Sequence, residues 1–126
     1  MPRSLILTLL ATLLGLDANE VERHGFLEKH CFECHDSDLQ RGDLNLEALA
    51  FDLTQPETFD QWRHVHDRIK QDEMPPKKVK ARPSTTELDA FLPLIAGPLK
   101  EADRKRIATK GRASVRRLNR HEFGNA

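Results

Sequence analysis

Two cysteines and a histidine stand close enough together in this sequence to carry out chemistry jointly. Cys31, Phe32, Glu33, Cys34 and His35 spell the pattern C-x-x-C-H. One helical turn separates the two cysteines, so both sulfurs can reach the two vinyl groups of one porphyrin, and the following imidazole can meet the iron. The spacing therefore predicts one covalently attached haem c, held by Cys31 and Cys34, with His35 as an axial iron ligand.

Three other kinds of site use the same residue types. A zinc site usually needs four ligands, and the sequence has no second C-x-x-C or H-x-x-x-H cluster to complete one. A thioredoxin-like dithiol follows a strand, whereas Glu20 to His30 has the pattern of a helix. A disulfide between Cys31 and Cys34 would be strained and would close almost no loop. Haem attachment is the interpretation that these comparisons favour.

The second iron ligand must come from elsewhere in the chain. Apart from Met1, the only methionine is Met74, which is followed by Pro75 and Pro76. A proline biases the residue before it away from helix, so the pattern indicates a stiff, extended loop that could present a thioether to iron. The competing interpretation is a methionine that only fills a gap in the core.

A histidine offers a rival for that position. His66 recurs with apolar residues at three- and four-residue steps, on one stripe of a predicted helix. The stripe consists of Phe59, Trp62, His66 and Ile69. A buried His66 could bind iron, contact a haem propionate or simply pack, and packing or a propionate contact is favoured. We expect His24 and His30 to be solvated positions on the first helix.

The elements that position these residues are predicted to be helices. Aromatic residues make up 6% of the chain, there is no Tyr, and Leu, Ala, Glu, Lys and Arg predominate over Val and Ile. The predicted fold class is all-α, a small cytochrome c-like helical fold around one covalent haem. Its first helix runs through Cys31, with Asn19 as the capping residue.

Two further helices begin at capping boxes, in which a Ser or Thr is followed three residues later by Glu. Thr54 and Glu57 predict the start of a second helix that reaches Asp72. Ser84 and Glu87 predict the start of a third. The apolar face of this third helix is Leu88, Phe91, Leu92, Ile95 and Leu99.

Residues 1–18 have the pattern of a secretory signal peptide. A basic residue near the start is followed by the apolar run from Leu5 to Leu16, which is too short to span a bilayer. Cleavage after Ala18 would deliver the protein to the periplasm or cell envelope. An uncleaved segment would instead associate the protein with the membrane, and that alternative stays open.

The rest of the chain divides by charge into a haem domain, residues 19–99, and a basic C-terminal helix or linker, residues 100–126. Acidic residues outnumber basic ones over residues 17–73, whereas basic residues predominate from Lys77 onward, and the two balance to a formal net charge of zero. A solvated face is the favoured interpretation of the tail. Binding of an acidic partner or of anionic lipid is the alternative, and no nucleic acid is expected as a partner of an exported protein.

The segment from Phe26 to Pro76 resembles the cytochrome c domain of planctomycete haem proteins. The resemblance lies in Phe26 to His35, in the run Arg41-Gly42-Asp43-Leu44-Asn45-Leu46, and in Asp72-Glu73-Met74-Pro75-Pro76. It implies a class I type cytochrome c fold, His35 and Met74 as the two axial iron ligands, and a role in electron transfer.

Residues 116–125 resemble the opening of a domain of unknown function that follows the cytochrome module in larger members of that family. The sequence would then carry only the truncated start of that domain. The predicted function is that of a one-electron carrier rather than a catalyst, with a redox partner protein that the sequence does not identify. A peroxidase-type haem enzyme and a haem-bearing recognition or sensor module are the alternatives.

Overall fold

The computed structural model describes residues 17–110. This part of the chain contains three α-helices, one short 3₁₀ turn and no strand, which confirms the all-α fold class there. The helices are α1, Ala18–His30; α2, Pro56–Lys70; and α3, Thr85–Lys110, and the 3₁₀ turn is Arg41–Asp43. Of the predicted signal peptide, only residues 17 and 18 are described. Residues 111–126, which include 116–125, lie outside the described part of the chain. Those assignments stay predictions.

The core lies where α3 packs against both other helices. Trp62 of α2 and Phe91 and Ile95 of α3 are the largest side chains that are fully buried. The Trp62 indole donates a hydrogen bond of 2.9 Å to the carbonyl of Ala50, so its one polar atom is satisfied. The buried apolar residues within 17–110 are Leu27, Leu46, Phe59, Trp62, Val65, Ile69, Phe91, Ile95 and Leu99. The predicted apolar stripes of α2 and α3 therefore face one common core.

The predicted capping box at the start of α3 is confirmed. The N–H of Glu87 donates to Ser84 Oγ over 3.2 Å, and the Glu87 carboxylate accepts the Ser84 N–H over 2.8 Å. These reciprocal bonds satisfy two backbone donors that a helix start would otherwise leave unpaired. Once started, α3 continues through Pro93 and Pro98 to Lys110.

The corresponding prediction at the start of α2 is wrong. Gln55 is the capping residue and makes no side-chain cap, while Pro56 occupies the first turn, where its fixed φ suits a helix. Asp52 accepts both the N–H of Thr54 over 3.0 Å and its hydroxyl over 2.6 Å. Helix α2 begins one residue later than the box requires, so Gln55 and not Thr54 stands at the capping position, and the Thr54 hydroxyl bonds Asp52 in an Asx turn.

The two boxes give a matched test. Ser84→Ala is expected to lower the free energy of unfolding by about 1 kcal/mol, the usual effect of losing a helix cap. Thr54→Ala removes the same hydroxyl from a residue that caps no helix, and should have a smaller effect. Urea unfolding of the two variants beside the parent chain would measure this. Equal losses would contradict the assignment of Ser84 as the cap.

The first helix also begins differently from its prediction. Helix α1 starts at Ala18, so Asn19 lies inside it, and Asp17 is at the capping position without a side-chain bond. At its other end, Cys31 follows the helix as the capping residue instead of belonging to its last turn. The haem motif is therefore carried by the turn after α1.

The predicted boundary at residue 100 falls within α3. The helix continues past this boundary to Lys110, and the division into two domains stays a prediction. Arg106, which we expected on a solvated face, lies 4.5 Å from the ring centroid of Phe59, so its guanidinium covers part of the core. No helix within residues 17–110 has the length and apolar character needed to cross a membrane.

Candidate functional site

The C-x-x-C-H residues form a tight turn directly after α1. The N–H of Cys31 donates to the carbonyl of Leu27 over 2.8 Å, which closes the helix. The carbonyl of Cys31 then accepts the N–H groups of Cys34, over 3.2 Å, and His35, over 3.1 Å. The Cys31 carbonyl thus binds the backbone of both later motif residues. The turn therefore fixes the positions of the two cysteines and the histidine relative to one another.

The imidazole of His35 is oriented by a backbone carbonyl. His35 Nδ1 lies 3.3 Å from the carbonyl oxygen of Leu44. A carbonyl oxygen only accepts hydrogen bonds, so Nδ1 carries the proton and the lone pair is on Nε2. A histidine that ligates a metal commonly donates its other ring N–H in this way, which fixes the tautomer and the plane of the ring. His35 therefore has the arrangement expected of an iron ligand.

The loop that supplies this carbonyl is tied back onto the motif. The N–H of Arg41 donates to the carbonyl of Cys34 over 3.0 Å, and the N–H of Leu46 donates to that of His35 over 2.8 Å. Leu46 is buried in the core, which anchors the loop. Sequence reasoning identified this run only through the resemblance, because nothing in the residue types reveals which backbone carbonyl will meet His35.

Gly42 allows the loop to turn. Its φ is +68°, in the left-handed region that side chains with a Cβ disfavour. Gly42→Ala is expected to cost about 1–2 kcal/mol, although there is open space around the added Cβ. Gly97 is the control, because it lies inside α3 and also has open space around an added Cβ. Alanine favours a helix more than glycine does, so Gly97→Ala should raise the free energy of unfolding by about 1 kcal/mol. Thermal unfolding that shifts in the same direction for both variants would contradict this account.

The Cys31 thiol is shielded from water. Burial, together with the neighbouring Cys34, raises the pKa of Cys31 to about 12. A dithiol oxidoreductase needs a thiol whose pKa is lowered, so this environment opposes the thioredoxin-like alternative. Within residues 17–110 no group of three or more His, Cys, Asp and Glu side chains is arranged to hold a metal ion.

Met74 lies in the turn that follows α2. Asp72 has a φ of +59°, which ends the helix before its predicted limit, and the N–H groups of Glu73 and Met74 both donate to the carbonyl of Arg68, over 2.9 and 3.2 Å. The Arg68 guanidinium also binds the Glu73 carboxylate over 2.6 Å. Met74 is half-buried and packs against the core, and its peptide bond to Pro75 is cis. Its role as an iron ligand stays a prediction.

His66 is on the face of α2 that packs toward α3. Its side chain is 15% exposed, and Nδ1 lies 3.0 Å from a carboxylate oxygen of Asp67. With Phe59 and Leu99 it lines a cavity of about 250 Å³ that none of Cys31, Cys34, His35 and Met74 lines. The choice between packing and a propionate contact for His66 stays a prediction.

The expectation that His30 is solvated is wrong. Its side chain is only 5% exposed, and Nε2 lies 3.3 Å from a carboxylate oxygen of Glu87 at the start of α3. His24 is exposed as expected. The available signal was spacing, because His30 follows Phe26 by four residues and so shares its face of α1. The rings of these two residues are 4.8 Å apart.

Acid is expected to weaken this junction of α1 with α3. Hydrogen bonds from Lys29, then from the backbone and hydroxyl of Ser84, lower the pKa of Glu87 from 4.5 to about 2. The folded chain binds this proton more weakly, so the stability that Glu87 contributes is present above pH 4.5 and is lost as the pH falls toward 2. The unfolding free energy measured across this range should decline less steeply in Glu87→Gln. Equal slopes would contradict the prediction.

The residues around the motif fit a covalent haem c. The donor set comprises two thiols and an imidazole whose Nε2 is available. Apolar side chains on the motif and on both later loops are only partly covered, although they pack against the core, and they could line an apolar ring. These are Phe32, Leu44, Leu49 and Met74. Cys31, Cys34 and His35 would hold the group, and Met74, the fourth residue of the predicted site, stays a prediction.

Comparison with known proteins agrees with this geometry. A family model described as Planctomycete cytochrome C matches residues 31–78. The matched stretch begins at the first cysteine of the motif and includes the turn that carries Met74. No curated protein and no solved structure matches the chain. The resemblance to the planctomycete cytochrome c domain is thereby confirmed over residues 31–78.

Proposed function

Because residues 31–78 are a planctomycete cytochrome C domain, we propose that the protein binds one haem c and transfers single electrons. The observation that carries the proposal is the tethered C-x-x-C-H turn, in which the Leu44 carbonyl holds His35 Nδ1 at 3.3 Å and leaves Nε2 available. The bound haem would supply an iron that alternates between its ferrous and ferric states.

In this proposal each residue of the turn has a separate task. Cys31 and Cys34 would hold the haem through thioether bonds, which would use both thiols. His35 would offer its Nε2 to the iron, while the Leu44 carbonyl keeps the imidazole from rotating. Met74 is the proposed second axial ligand, and the backbone bonds to Arg68 support the turn that presents it. A thioether ligand would raise the reduction potential above that of a site with two histidines.

The proposed setting is the periplasm or cell envelope. The apolar N-terminal run supports export, and covalent haem suits a protein whose cysteines would otherwise meet an oxidising compartment. A redox partner protein is part of the proposal. Association with the membrane through an uncleaved N-terminal segment stays an alternative to release after Ala18.

The decisive experiment asks whether haem is covalently bound. The chain with its N-terminal segment is expressed in a host that matures c-type cytochromes, then denatured, separated on a gel and stained for haem. Haem that stays on the polypeptide, with a six-coordinate, methionine-ligated spectrum of the folded protein, is the expected result. Haem that is absent or separates from the polypeptide would overturn the proposal. High peroxidase turnover would contradict the proposal of an electron carrier and favour the peroxidase-type haem enzyme instead.

A further inference from the structure

The last turn of α1 is joined to α3 immediately before the haem motif. One oxygen of the Glu87 carboxylate accepts hydrogen bonds from two side chains of α1: His30 Nε2, at 3.3 Å, and Lys29 Nζ, at 2.5 Å. Through its other oxygen the carboxylate also bonds Ser84, at the start of α3. One carboxylate therefore links the residue next to Cys31 with the first turn of α3.

The two cations on this carboxylate differ in their surroundings. The Lys29 side chain is 66% exposed, and an exposed ion pair restrains a chain only weakly. The His30 side chain is 5% exposed and lies against Phe26, which in turn stacks on Phe91 of α3 at 3.8 Å between ring centroids. His30 is thus the buried, oriented member of the junction.

Packing alone does not explain a histidine at this position. His30 Nδ1 is buried without a hydrogen-bond partner among the described residues, which costs free energy that an apolar side chain would avoid. The bond from Nε2 to Glu87 is the one polar contact that compensates for this. A side chain that could only fill the space would lose that contact, and with it the link to α3.

We propose that His30 is a positioning residue, which holds the turn bearing Cys31 in place through Glu87 so that haem can be attached to it. The inference rests on the proposed function. If His30 has this role, haem attachment requires the junction of α1 with α3. The same junction would also keep water from the edge of the haem that is attached to the protein.

The test measures covalent haem per polypeptide in the full chain, matured in the host described above. His30→Leu fills the space but cannot bond Glu87, and loading should fall about 5-fold, the effect of losing one hydrogen bond. His30→Gln can still donate an N–H to the carboxylate and should restore loading. His30→Asn carries the same amide on a shorter side chain, and should resemble His30→Leu.

Two controls separate positioning from general effects. His64→Leu changes an exposed histidine on α2, and Lys29→Ala removes the exposed cation from the same carboxylate. Both should load as the parent chain does. The reduction potential of the loaded fraction is a second readout, and it should be lower in His30→Leu than in His64→Leu, because water that reaches the haem favours the ferric state.

The outcomes distinguish this inference from the function on which it rests. A parent chain that carries haem, with His30→Leu equally loaded and equal in potential, overturns the positioning role alone. Equal losses in His30→Gln and His30→Leu also overturn it, because the hydrogen bond would then be irrelevant. A parent chain without covalent haem overturns both proposals.

Discussion

Replacing both cysteines, as Cys31→Ser with Cys34→Ser, is expected to leave no haem on the denatured polypeptide. A serine hydroxyl does not form the thioether that a thiol forms with a porphyrin vinyl group. His35 would still be held by the Leu44 carbonyl, so the folded variant could bind haem through iron alone. That haem would separate on denaturation. The measurement is haem staining of a denaturing gel beside the intact mass of each chain.

The single variants sharpen the interpretation. Cys31→Ser and Cys34→Ser each keep one thiol, and each should retain covalent haem at reduced yield. Ser37→Ala is the matched control, since it alters an exposed residue just beyond the motif, and it should load as the parent does. Covalent haem on the double variant would show that another side chain attaches the group, and would contradict the assignment of both cysteines.

The helices were predictable wherever a local pattern had no competitor. Apolar spacing located the buried faces of α2 and α3, and the box of Ser84 with Glu87 located the start of α3. The same type of box failed at Thr54 because α2 begins one residue later, at Pro56, which leaves Gln55 at the capping position. The Thr54 hydroxyl bonds Asp52 instead. A pattern of this kind indicates which bonds are available, but the exact start of the helix decides which of them forms.

The reactive side chains of the site could be predicted from the sequence, but the backbone groups that orient them could not. The types and spacing of Cys31, Cys34 and His35 were enough to indicate haem. The carbonyl that orients His35 belongs to a loop whose path depends on Gly42 and on the burial of Leu46. Backbone oxygens are alike in every residue, so only the folded path of the chain shows which one is used.

Charge patterns were the least reliable guide. Arg106 lies in a basic run for which we expected a solvated face, yet its guanidinium covers Phe59 at 4.5 Å. Likewise, His30 was assigned to solvent and is nearly covered. Both side chains combine a polar group with an apolar or flat surface, so they can bury one part while the other finds a partner. Counting charges along the chain does not reveal that division.

Met74→Ala is expected to lower the reduction potential by a substantial part of the roughly 0.8 V that axial ligands span. Removal of the thioether leaves the sixth position open to water, and loss of a methionine ligand stabilises the ferric state. The ferric spectrum should change from low spin to high spin. Met74→His should restore a six-coordinate, low-spin spectrum but keep a low potential, because a second imidazole does not raise the potential as a thioether does.

A matched substitution distinguishes ligation from packing. Leu53, in the loop before α2, is half-buried and packs against the core as Met74 does. Leu53→Ala should therefore repeat the loss of packing without altering the spectrum. If Met74→Ala changed neither the ferric spectrum nor the potential while His66→Ala changed both, His66 would be the axial ligand. Its place beside Asp67, facing α3, would then have to shift when haem binds.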